Sequence, residues 1–137
     1  MYNLPADWVR DEDAGEGWVR YLGFHPSHPN VAAAEFLTYE HIPHDSALED
    51  AADILSIGYP TDTDFKIDDS GATVVPGAEE ALRTDLRQDF DRPEFETLHI
   101  SDYAIRTSQG SVTAFRISAV EELVENGVRD DVVEDLL

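Results

Sequence analysis

Four of the five histidines fall into two pairs, His25-x2-His28 and His41-x2-His44, with twelve residues between the pairs. Two close pairs separated by such a stretch have the ligand spacing of a small zinc site, each pair taking the metal from one side. Four neutral imidazoles hold Zn²⁺, Ni²⁺ or Cu²⁺, and Glu40 or Asp45 beside them could replace one. Two features oppose this. Structural zinc sites generally include cysteine, and the chain has none. The His-Pro pairs are ordinary turn material, and the segment between them reads as a helix about 15 Å long, which would hold them apart. The quartet is therefore either a zinc site or four loop and helix-end histidines.

Other residues invite chemistry less directly. Asp62-x-Asp64 and Asp68-Asp69-Ser70-Gly71 suggest a calcium loop, but the glycine at the sixth position and the closing glutamate are missing, so a solvated acidic loop is expected. His99 alternates with Leu98 and Ile100 and so faces away from them, as a strand histidine rather than a general base. There is no G-x-S-x-G, no phosphate-cradling glycine loop and no glycine pattern leading from a strand into a helix. A chain with no catalytic residue, and no cofactor other than that zinc, is expected.

Two surfaces suggest partners instead. Arg83, Arg87 and Arg92 place three of the nine basic residues within ten positions, either to dock an acidic partner or to bridge internally to Glu79 and Asp91. At the C-terminal end, Val132, Val133, Leu136 and Leu137 form an apolar stripe that packs on its own domain or seats in a neighbouring subunit.

The elements that position these residues follow from periodicity. Trp8-Val9-Arg10 echoes Trp18-Val19-Arg20, and a spacing of ten puts both tryptophans on one face of a strand, giving a hairpin-like start with 18–24 as its second arm. The segment 6–10 reads equally as one helical turn. Asn30 is a good N-cap for a helix over 31–40, where Ala32, Ala33 and Ala34 favour that state. Ser46 and Glu49 make a capping box ahead of Leu48, Ala51, Ala52 and Leu55, and Gly58 ends that helix. Segments 65–68 and 72–75 flank Asp69-Ser70-Gly71 as a small hairpin. Pro76 opens a helix to residue 90 in which Ala78, Leu82, Leu86 and Phe90 recur every fourth residue. The pairs Leu98/Ile100 and Tyr103/Ile105 alternate out of phase, which predicts a bulge near Ser101 and Asp102 before a turn at 107–110 and a strand over 112–117. Ser118 with Glu121 caps a helix ended by Gly127, and a last amphipathic turn or two closes the chain. The order predicts one α+β domain over 1–137 without a linker. It is mainly an antiparallel sheet of hairpins (95–117, with 65–75 and 18–24) packed by three to five short helices.

Composition sets the environment. Thirty Asp and Glu against nine Lys and Arg give a formal charge of −21 in 137 residues, which excludes nucleic-acid or anionic-membrane binding through a general basic surface. No run is long and apolar enough to span a membrane, and Met-Tyr-Asn-Leu-Pro-Ala-Asp lacks the basic start of a secretory signal. The acids are spread along the chain and Lys66 is the sole lysine, a pattern resembling proteins of extreme halophiles. Multimolar salt cuts the Debye length to about 3 Å and removes self-repulsion. The expectation is a non-catalytic, oligomeric subunit of a larger assembly from an extreme halophile, contacting other protein subunits. In its sharpest form it is a neck, tail-completion or capsid-associated virion protein of a virus of halophilic archaea, located in the cytoplasm of a high-salt host or in the particle. The alternative is a small metal-binding or regulatory domain organised by the histidine quartet.

Overall fold

The computed structural model describes residues 3–25, 28–56, 65–88 and 97–136. Its central strand β7 (Val112–Val120) pairs antiparallel with β6 (Leu98–Thr107) on one side and with β3 (His28–Tyr39) on the other. Beyond β6 lie β5 (Ala78–Gln88) and β4 (Phe65–Thr73), and beyond β3 lie β2 (Trp18–His25) and β1 (Val9–Asp11). The described residues thus form one seven-stranded antiparallel sheet in the order β1-β2-β3-β7-β6-β5-β4. Three short helices accompany it: α1 (Leu48–Ser56), α2 (Glu121–Glu125) and α3 (Val128–Asp135). The α+β reading holds, with the sheet dominant.

The two central strands are buried on both sides, each with six consecutive buried residues. On one face Phe36, Tyr103 and Phe115 stack in a row, with ring centroids 5.7 and 5.1 Å apart, beneath Val132, Val133 and Leu136 of the α3 region. On the other face Ala104, Val112 and Ala114 lie under Leu48, Ala51 and Leu55. The helix α1 is the one its stripe predicts, since i, i+3 and i+7 present a single apolar side to the sheet. Small residues on β6 and β7 let its backbone come close.

Several expectations are corrected by pairing. Residues 31–40 are not a helix but the body of β3, because they are flanked by partners on both edges and burial alternates from Ala34 to Tyr39. Ala33 and Ala34 serve close packing with Ala119 and Leu123, not helix propensity. The helix expected over 76–90 is β5. A stripe repeating every four residues also repeats every two, so Leu82 and Leu86 satisfy either period, while a register shift between Ala78 and Glu80 turns Ala78 to the α3 face. Pro76 and Gly77 are the centre of a tight turn instead, with Gly77 at φ 88° and the Ala78 N–H donating to the Val75 carbonyl at 3.0 Å, the type II pattern of Pro then Gly. Asp69-Ser70-Gly71 is consequently mid-strand in β4, opposite Asp85, Thr84 and Arg83. No bulge occurs at Ser101 and Asp102. Leu98 and Ile100 point to one face and Tyr103 and Ile105 to the other, in a regular strand that is apolar on both. Ser118 is buried within β7, and α2 begins after Val120 without a side-chain cap. Finally, the hairpin start is present, but its register pairs Val9 with Leu22. That register sets Trp8 over Gly23 on the α3 face, while Trp18 packs with Tyr39 on the α1 face at 4.9 Å. Even spacing assigns a common face only within one strand.

Candidate functional site

Alternate residues of a strand share a face, so β5 presents Arg83, Asp85 and Arg87 together, and the register with β6 sets them beside Tyr103, Ser101 and His99. The helix α3 lies over this face and adds Arg129. Asp85 is the hub: its Oδ1 accepts from Arg83 Nε at 2.7 Å and from Ser101 Oγ at 2.7 Å. Arg129 Nη1 donates to Ser101 Oγ at 3.3 Å, and the Arg83 guanidinium carbon stands 5.6 Å from the centre of the Tyr103 ring. Burial works against the charge of Arg83, but the Asp85 hydrogen bond and its carboxylate charge more than offset this and hold its pKa above the ordinary value. Burial likewise pushes the Tyr103 phenol up.

Three arginines therefore lie on one face of the sheet, in a chain that holds nine basic residues in all. Arg129 Nε, a donor, and the ring nitrogen His99 Nε2 are buried with no hydrogen-bond partner among the described residues, Asp130 standing 3.8 Å from the first and Glu121 3.7 Å from the second. Such donors suit an arriving oxygen anion, and a guanidinium offers two parallel N–H groups to a carboxylate.

The opposite face carries a second polar arrangement, built for stability. Asp102 and Arg116 face each other across β6 and β7, with Arg116 Nε donating to Asp102 Oδ1 at 2.8 Å and Nη2 to Oδ2 at 3.3 Å. The same Nη2 reaches the Leu55 carbonyl at the end of α1, at 2.8 Å. Nearby, Arg20 bonds Asp11 and lies 3.7 Å from Glu35, at the edge of a cavity of about 350 Å³ lined also by Gln88 and Arg116. Burial pushes the Glu35 carboxyl above the usual carboxylate range, with Arg20 and Arg116 working the other way. Asp11 is held below that range by the Asp13 N–H and then by Arg20.

The residues singled out in the sequence are distributed as follows. Arg83 and Arg87 share one face of a strand rather than of a helix, and Arg83 pairs with Asp85, two residues on, instead of with Glu79. Arg92 and Leu137 lie outside the described residues, as do Asp62 and Asp64. Val132, Val133 and Leu136 turn into the core of their own domain. His25, at the end of β2, and His28, at the start of β3, are opposite each other, and His25 Nε2 lies 2.8 Å from Glu122 Oε2. His41 and His44 follow the other end of β3, whose twelve residues span about 36 Å at roughly 3.3 Å per step, so the four are not brought together. No group of three or more His, Asp or Glu with metal-holding geometry occurs among the described residues. Sequence reasoning missed Asp85, Ser101 and Arg129; reading 83, 85 and 87 with period two would have grouped the first with the arginines, but nothing local announces Arg129.

No protein-family model and no curated protein matches the chain. Nine solved chains share its fold. One is described as the crystal structure of LpqN, involved in cell envelope biogenesis of Mycobacterium tuberculosis. It superposes with a TM-score of 0.52 at 15% identity, over 98% of this chain and 79% of the LpqN chain. At that identity the likeness concerns the fold alone.

Proposed function

We propose that this chain is a non-catalytic interaction domain of a high-salt assembly, and that the Arg83–Arg87–Arg129 cluster takes the acidic surface of a second copy. The reading rests on one observation: in a chain of charge −21, three arginines and His99 lie on one face, where Arg129 Nε and His99 Nε2 are buried and have no hydrogen-bond partner among the described residues. Its thirty acids give every copy exposed carboxylates to offer. Because donor and acceptor patches are different surfaces, the contact is head-to-tail and closes as a ring or extends as a chain. Dilute buffer opposes it through the net charge of both copies. Multimolar salt removes that long-range repulsion, leaving contacts shorter than a Debye length of about 3 Å.

Size-exclusion chromatography with light scattering in multimolar KCl tests this on the parent and on an Arg83→Gln/Arg129→Gln variant, with circular dichroism to confirm folding. A defined oligomer in the parent that dissociates in the folded variant is the expected result. A parent that stays monomeric as its concentration rises, or an oligomer indifferent to the substitutions, refutes the proposal.

A further inference from the structure

A second hollow lies at the other end of the α3 face, between the N-terminal segment 3–8, strands β2 and β3, and helices α2 and α3. We infer that this cleft binds a small organic cation with an apolar body, such as an alkylammonium. Its volume, about 530 Å³, falls in the usual range for small-molecule sites, roughly 300–1,000 Å³. The hollow is built by residue choice. The floor is Gly23 opposite Ala34 in the β2–β3 register, the two smallest side chains available. Trp8 lies over Gly23 so closely that a Cβ there would come within 2.6 Å of the indole. The Asn3 N–H donates to the Leu136 carbonyl at 3.1 Å and so ties the N-terminal wall to the end of α3. Leu123 and Val128 complete an apolar interior, and Phe24 is exposed beside it.

The mouth carries the opposite character. Asp131 and Asp135 stand one turn apart on α3, so both face the cleft, and Asp7 approaches from the N-terminal turn. Among the described residues no Arg, Lys or His lines it. Three carboxylates around an apolar hollow repel one another, and a cation seated among them relieves that repulsion while its apolar body fills the space below. An anionic or neutral amphiphile of equal length gains the apolar contact alone.

High salt sharpens the test. At a Debye length of about 3 Å, acids elsewhere on the surface are screened, and only carboxylates touching the headgroup discriminate charge. A Trp18→Phe chain, checked for folding by circular dichroism, leaves Trp8 as the sole tryptophan reporter. Its fluorescence is titrated in multimolar NaCl with decyltrimethylammonium, decyl sulfate and decanol, all below micelle formation. The expected result is a saturable change with the cation at an affinity on the order of tenfold above the other two, about 1.4 kcal/mol of discrimination. Asp131→Asn/Asp135→Asn removes that preference but keeps decanol binding, and Ala34→Leu abolishes all three. No saturable signal with the cation, equal affinity for the sulfate, or a charge preference that survives the double Asn variant overturns the inference. Because the Asn changes are on the surface, the outcome does not depend on whether Ala34→Leu folds.

Discussion

Removal of the Asp102 charge is the sharpest test of the physical account of this fold. Asp102 and Arg116 have side chains 2% and 8% exposed, and the guanidinium also donates to the Leu55 carbonyl. Asp102→Asn keeps the shape and one acceptor oxygen but removes the carboxylate charge that the buried guanidinium bonds with two of its nitrogens. Two routes give similar magnitudes. Breaking one side of a buried pair costs about 3–5 kcal/mol, and two unit charges about 4 Å apart at an effective dielectric near 20 interact by about 4 kcal/mol. Against a total stability of roughly 5–15 kcal/mol this is a large fraction. At about 3–4 °C per kcal/mol for a chain of this size, melting should fall by about 10–20 °C. Thermal melts by circular dichroism at several KCl concentrations are the assay. The loss should persist in multimolar salt, because both side chains are buried and salt screens buried pairs much less than exposed ones. The exposed Arg106–Glu80 pair, 3.8 Å apart, is the control, and Arg106→Gln should change little and less still as salt rises. A double Asp102→Leu/Arg116→Met variant should recover most of the loss, since it buries no unpaired charge. An Asp102→Asn chain that melts within about 3 °C of the parent would refute the reasoning, as would a double variant as weak as the single one.

Glu35→Gln should act in the opposite sense. Burial raises the folded pKa of Glu35, so between its ordinary and raised values the native state holds more protons, and stability falls as pH rises through that window. The variant should therefore melt higher than the parent at neutral pH and equal to it near pH 4, read from a pH series of melts. Gly23→Ala should destabilise by about 1–3 kcal/mol through collision with Trp8, and the same change in a Trp8→Ala chain should cost markedly less; equal losses in both backgrounds would show that Trp8 is not the obstacle. The acidic composition predicts that the parent melts at a lower temperature in dilute buffer than in multimolar KCl, and equal melting in both would remove the halophilic reading.

Much of the architecture was legible in local pattern. The stripe of α1, the β6–β7 hairpin and the hairpin start are each set by apolar periodicity and by turn residues between them. The misreadings share a cause. At 31–40 and 76–90 the sequence carries alanines and four-residue spacings that a helix and a strand satisfy equally, and the choice belongs to neighbours far away in the chain. Ala34 is in a strand because Gly23 and Ala119 flank it, and Leu86 because Ile67 and Ile100 do.

The candidate site divides the same way. Charge, the clustering of Arg83 and Arg87 and the apolar C-terminal stripe were properties of the sequence alone, because composition and short spacings do not depend on folding. Only the tertiary structure decided that Val132, Val133 and Leu136 close their own core. It also separated the histidine pairs by the length of β3, and brought Ser101 to Asp85 and Arg129 to Ser101. Those contacts join residues 16 and 28 positions apart, through pairing register and helix docking. Register is fixed by the sum of many cross-strand contacts, so no short stretch of sequence contains it.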